Sequence, residues 1–335
     1  MSQECLDSSG GSGDPNTLCD AGNPDPICQG VGFDNPCEDD PASCAAPPDV
    51  GDLDGLGADD IQNLDPTAVY GFTDDHVSGL DPSQLGDFTP DQLGNLPPDA
   101  LDSLSPDQPQ NIDPAGFGQF SDDQVGALDP TAVGAFSADQ LGGLPAGAFG
   151  GFDATQMDAL DPTALGGLSS DQVGGLDPTA VGSLDADQLG ALPTDAIGGF
   201  SASQAGALDP TALGGLSSDQ LGGLDPTAVG ALDADQLGAL PTDAFGGFSA
   251  DQAGALDPAA LGGLGSDQVD NLDPTAVGAF DANQLGALPD DAFGSLDPLQ
   301  VDALGSAALG GVSADQIGSL DSTAVAAFDA DQLGA

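Results

Sequence analysis

The sequence predicts a repeat solenoid of short, one-turn helices joined at glycine corners. Three observations carry this. Stepping by eight from Leu56 to Phe328 lands on Leu, Phe, Ile or Val at each of 35 positions, with no insertion or deletion. Each octad also holds its own helix-start and helix-stop residues. Finally, the octads alternate between two kinds, so the chemical unit is a pair of octads. An unbroken register of this kind belongs to a repeat architecture, because the unequal loops of a globular enzyme would interrupt it.

The octad Phe136-Ser137-Ala138-Asp139-Gln140-Leu141-Gly142-Gly143 shows the logic. Ser137 suits an N-cap, and Gln140 stands three residues later, as a capping box requires. Asp139 falls in the first turn, where the helix dipole favours an anion. Phe136 and Leu141 occupy the two staple positions, and Gly142 is expected to end the turn in a left-handed conformation. The partner octad, Leu128-Asp129-Pro130-Thr131-Ala132-Val133-Gly134-Ala135, repeats the scheme with Asp as N-cap and Pro at the first helical position. The seventh position is Gly in 26 of the 35 octads, and four of the other nine are Asp (Asp102, Asp158, Asp270, Asp302). Both residue types favour a positive-φ corner.

A continuous helix is excluded, since eight residues advance by about 800° and lose register by roughly 80° per octad. A plain strand fits poorly, because the two apolar positions lie five apart and would point to opposite faces. The alternative fold is a β-solenoid with corners inside each octad.

In one series of octads the fifth residue is Gln in 16 of 18 cases, from Gln92 to Gln332, with Asp60 and His76 as the exceptions. In the other series it is usually Ala. Pro97, Pro145, Pro193, Pro241 and Pro289 add a period of six octads, and residues 160–207 match 208–255 at all but four positions. Phe200 shares an octad with the small Ala205, and Phe248 with Ala253, as a volume-limited core requires. The array therefore grew by tandem duplication of a six-octad block.

Residues 1–55 are expected to form a separate leader rich in Cys, Gly, Pro and Asp, irregular or disulfide-stapled, and 56–335 the array. The leader holds every cysteine: Cys5, Cys19, Cys28, Cys37 and Cys44. Having few large apolar residues, it needs staples to hold a shape, and two disulfides with one odd thiol is the simplest arrangement. That points to an oxidising, extracellular setting. Residues 1–30 lack the positive and apolar regions of a signal peptide, so an exported chain is expected to be mature, a fragment, or carried by another route.

The chain has 56 acidic residues and no Lys or Arg. With no internal counter-ion, its compact state must rely on cations from outside for screening. Nucleic acids, phosphorylated ligands and anionic membranes are expected to be poor partners, since each is ordinarily met by Lys or Arg. No apolar run approaches the roughly 20 residues of a membrane span.

Metal binding is the sharpest chemical expectation. In the Gln series, Asp stands at the fourth position in 14 of 18 octads, including Asp171, Asp187, Asp219, Asp235, Asp251 and Asp267. If two octads made one coil, these carboxylates would form a column of oxygen ligands suited to Ca²⁺. The array holds neither an EF-hand loop nor the glycine-rich calcium nonapeptide. Thr131, Thr163, Thr179, Thr211 and Thr227 are regularly spaced, and an ice-binding face is a minor alternative. Catalysis lacks parts: His76 is the only imidazole and stands where other octads carry Gln.

Phe88-Thr89-Pro90-Asp91-Gln92-Leu93-Gly94-Asn95-Leu96 and Phe136 to Leu144 resemble the L-[ST]-x-[DE]-Q-[ILV]-x-[AS] octapeptide arrays of large bacterial surface and secreted proteins, a likeness running over 56–335. It implies an extracellular spacer, adhesin-like stalk or self-assembling filament at the cell surface, and it transfers no catalytic residue. The total lack of Lys and Arg departs from that pattern. The expected function is thus structural and cation-stabilised; an acidic calcium- or mineral-binding protein is the alternative. The last octad, Phe328 to Ala335, has no polar cap, so a longer protein or head-to-tail self-stacking is expected.

Overall fold

The computed structural model describes residues 56–334; Cys5, Cys19, Cys28, Cys37, Cys44 and the disulfides expected among them lie outside the described residues. Among the described residues every element is a helix of three to six residues and none is a strand. The β-solenoid alternative is not supported. No helix among the described residues is long and apolar enough to cross a membrane.

The local design follows the octad. Ser137 is extended (φ −84°, ψ 165°), its hydroxyl accepts from the Gln140 N–H, and the helix Ala138–Gly143 follows. Leu144 then returns to φ −67°, ψ 140°. Positions one and two are therefore the extended corner, and the rest of the octad is helical. In the proline octads, Asp177 caps and Pro178 opens the helix Pro178–Val181. Proline also drives the residue before it into extended backbone, which sharpens the corner.

The expectation of a left-handed glycine is overturned. Gly134, Gly182 and Gly230, all at the seventh position, have φ of −61°, −65° and −66°. The turn ends when the following Leu or Phe goes extended, which any residue can do. Glycine is needed for proximity instead. A methyl group on Gly182 would lie 2.8 Å from the carbonyl oxygen of Ala207, and one on Gly230 would lie 2.6 Å from that of Ala255. At the eighth position the approach is closer still, and a methyl on Gly215 would collide with the Ala186 carbonyl.

These contacts reveal the coil. Pro162–Leu165 packs on Ala186–Ala191, which packs on Pro210–Leu213, which packs on Ala234–Ala239. Successive members of this series stand three octads apart, so one coil is three octads and the array has three sides. The octads beginning Leu128, Phe152 and Leu176 lie on the first side; Phe136, Leu160 and Leu184 begin octads on the second; Phe120, Leu144 and Leu168 on the third. A chemical unit of two octads and a coil of three coincide every six, which is the period of the duplicated block.

The core is filled by positions one, five and six of each octad, as in Leu184, Gln188 and Leu189 or Leu208, Ala212 and Leu213, all buried. Large and small side chains balance as expected. Phe245 stacks on Phe248 at 5.1 Å between centroids, and the sixth residue of that octad is the fully buried Ala253.

Candidate functional site

The most regular chemistry of the molecule is inside it. Sixteen glutamines, Gln92 through Gln332, are buried, and they are the only buried polar residues among those described. Gln188 is representative. Its Oε1 accepts from the Asp185 N–H at 3.0 Å, and its own N–H donates to Asp185 Oδ1 at 2.8 Å, which completes the capping box. Its Nε2 donates to the carbonyl oxygens of Met157 and Leu160, both at 2.8 Å, 31 and 28 residues earlier. The same pair of offsets recurs at every one of these glutamines, with distances of 2.7 to 3.3 Å.

Each glutamine thus staples its octad to a corner of the coil before it. The acceptors sit where a helix has just ended, with carbonyls that lack a full set of intrahelical partners. Outside the helices, every backbone–backbone hydrogen bond among the described residues joins residues three or four apart. Hydrogen bonding between coils falls to side chains, and no buried side-chain polar atom among the described residues is left without a partner.

Because three is odd, Gln and Ala octads alternate along each side. On the first side the fifth positions read Ala132, Gln156, Ala180, Gln204, Ala228, Gln252, Ala276, Gln300 and Ala324, one per coil and all buried. From Ala132 to Ala324 a long amide therefore rises from a layer whose neighbours are small, whereas Gln108 stands one coil above Gln84. The capping box was legible in the sequence; the staple was missed. Its signal was there, since Glu serves a capping box as well as Gln does, yet the array has 16 Gln and no Glu at this position. Only the amide can donate downward while accepting sideways.

His76 takes the Gln place in its octad, as its position implied. Its Nδ1 accepts from the Thr73 N–H at 3.1 Å, and its ring stacks on Phe72 at 5.4 Å.

The outer surface is carboxylate and hydroxyl. A coil of two octads was the condition for a calcium column, and the coil has three. Asp171, Asp219 and Asp267 accordingly lie on the third side two coils apart, Asp187 and Asp235 on the second, and Asp251 on the first; all six are exposed. Coil spacing instead aligns Asp171, Asp195, Asp219, Asp243, Asp267, Asp291 and Asp315 on the third side, one per coil. Within that column Asp195, Asp243 and Asp291 come from octads of the other series, which the two-octad count passed over. No group of three or more His, Asp or Glu that could hold a metal occurs among the described residues.

The spaced threonines divide as well. Thr131, Thr179 and Thr227 fall on the first side with Thr155 between two of them, and Thr163 and Thr211 fall on the second. Their hydroxyls are engaged, as Thr179 Oγ1 donates to Asp177 Oδ1 at 2.6 Å while the Thr179 N–H donates to the same oxygen at 2.8 Å. The side-chain bond first, then the backbone one, hold the Asp177 carboxyl below its usual range, and the same pair acts at Asp129, Asp161, Asp209, Asp225 and Asp273. Concavities are shallow: one is lined by Pro66, Asp91, Gly94, Asn95 and Gln119, another by Ala154, Pro178, Thr179, Gly182, Ser183 and Ala207. No protein-family profile matches the chain, and no curated protein shows significant similarity to it.

Proposed function

We propose that this is a structural repeat protein of the extracellular space or cell surface, a spacer, stalk or filament whose charge is screened by cations. One observation supports this best: the repeating chemistry is spent inward, on sixteen buried glutamines that tie coil to coil, while the outward positions carry Asp, Thr, Ser and Ala. Such a design scales with length and asks nothing of a pocket. Self-association, head to tail or side by side, is part of this reading, and non-enzymatic action follows from it.

Electron microscopy of the purified chain, with circular dichroism of the same sample before and after EDTA in 0.15 M NaCl, tests the reading. Elongated particles whose helicity survives chelation are expected. Compact particles would end it.

A second reading, an acidic calcium- or mineral-binding protein, draws on the column from Asp171 to Asp315 at one carboxylate per coil. Saturable Ca²⁺ binding of fixed stoichiometry, absent with Mg²⁺, would favour it over the first.

A further inference from the structure

Among the described residues no backbone–backbone hydrogen bond joins neighbouring coils. In a β-solenoid, continuous ladders of N–H···O=C bonds join each coil to the next. Here the ties are discrete and fall once in every two octads, at Gln172, Gln188, Gln204, Gln220, Gln236 and onward, each holding two carbonyls of the coil beneath. Between ties, coils meet through apolar contact and through the close approach of glycines such as Gly182 to Ala207. The helices themselves are single turns of four to six residues in this stretch, too short to persist alone. Once its glutamine lets go, a segment is held to its neighbour by apolar contact alone, and the segment before it keeps its own staple.

A second feature acts against the staples. With 56 acidic residues and no Lys or Arg, like charges repel along the whole array. Stretching separates them, and salt reduces the gain.

We propose that the array is an extensible spring that lengthens one staple at a time, in increments of two octads, at a force set by ionic strength. A one-dimensional stack has nearest-neighbour energetics, so a free or loaded end unravels without disturbing distant coils. Re-formation is local too: each glutamine finds its carbonyls in the coil that is still in place. The proposal rests on the spacer reading and gives the spacer compliance.

The test is force extension of the full chain held by handles at its two termini, in 20 mM and 500 mM NaCl. The expected record is a ladder of steps of about 50 Å each, given the roughly 3.3–3.6 Å that an extended residue spans, reversible on relaxation and at lower force in 20 mM salt. In Gln220→Ala two adjacent steps merge into one of about 100 Å, by the same extended-chain span. Rupture of the array as a single block, force indifferent to salt, or an unaltered ladder in the variant would each overturn the spring. The first and second results leave a stiff spacer standing, whereas compact particles in micrographs end the spacer reading before any force is applied.

Discussion

The side-chain amide of Gln188 lies 2.8 Å from the carbonyl oxygen of Leu160, in the coil before it. The same amide reaches Met157 at 2.8 Å, and the Oε1 receives the Asp185 N–H. Gln188→Ala therefore leaves the Leu160 carbonyl and the Asp185 N–H without this partner, while the Met157 carbonyl keeps only the Leu160 N–H. Unpaired buried groups cost about 1–3 kcal/mol each, with partial relief from relaxation or water. A loss of about 3 kcal/mol in urea unfolding is expected. Gln188→Glu should be worse, because it keeps the acceptor, removes the donors and brings a buried charge against two carbonyl oxygens. A Glu variant as stable as the native chain would show that the downward bonds contribute nothing.

The alternation of Ala180, Gln204 and Ala228 along one side makes the parity of coils matter. Deleting residues 160–207 removes two whole coils and restores Gln over Ala at the junction. Deleting 184–207 removes one, and stacks Gln220 over Gln172 and Ala212 over Ala164. Overpacking costs about 1–3 kcal/mol and unfilled volume a similar amount. The two-coil deletion should keep the native helicity per residue and melting temperature within a few degrees. The one-coil deletion should melt markedly lower. Equal melting of the two would remove the packing explanation for the six-octad period.

Much of this was readable beforehand, and the failures have a common cause. N-caps such as Ser137 and Asp177, the staple pair Phe136 and Leu141, and the compensation of Phe248 by Ala253 are local or volumetric matters, and these were found in place. The number of octads per coil is a property of the angle at each corner, which Leu144 sets through a ψ of 140° that no residue type announces. The alignment of Asp171 with Asp187, conditional on two octads per coil, does not occur, because the two lie on different sides. Glycine misled for a related reason. Its rule for helix ends is about backbone conformation, whereas Gly182 serves a contact with Ala207 in the coil ahead and Gly215 one with Ala186 in the coil behind.

Those contacts separate glycines that look alike in sequence. Gly215 meets the Ala186 carbonyl across the coil boundary, while the space around Gly147 is open within 4 Å. Gly215→Ala must push backbone from backbone, at a cost of about 1–3 kcal/mol. Gly147→Ala lies in the helix Ala146–Gly151 with nothing to strike, and it should stabilise by about 0.4–1 kcal/mol through the unfolded chain. Thermal melts of the two variants under one buffer decide the matter. The opposite order of melting temperatures would refute the close-approach role.

Acid should act on this chain through two opposed effects, which salt can separate. The bonds from Thr131, Thr179, Thr227 and Thr275 hold the capping carboxyls of Asp129, Asp177, Asp225 and Asp273 below the ordinary value of 3.8. A folded value beneath the unfolded one means that the native state binds fewer protons. Their stabilisation is then complete above the unfolded value and is lost as pH falls through the folded one. Repulsion among the carboxylates runs the other way and weakens as acid neutralises them. In 0.5 M NaCl, where repulsion is screened, helicity followed by circular dichroism should hold from neutral pH down to the carboxylate range and fall below it. At 10 mM salt, stability should rise on mild acidification before that fall. Replacing these four capping aspartates by Asn, which caps without titrating, should make the acid limb shallower in high salt and leave the low-salt rise. Helicity that kept increasing to pH 2 in 0.5 M NaCl would contradict the capping bonds as a source of stability.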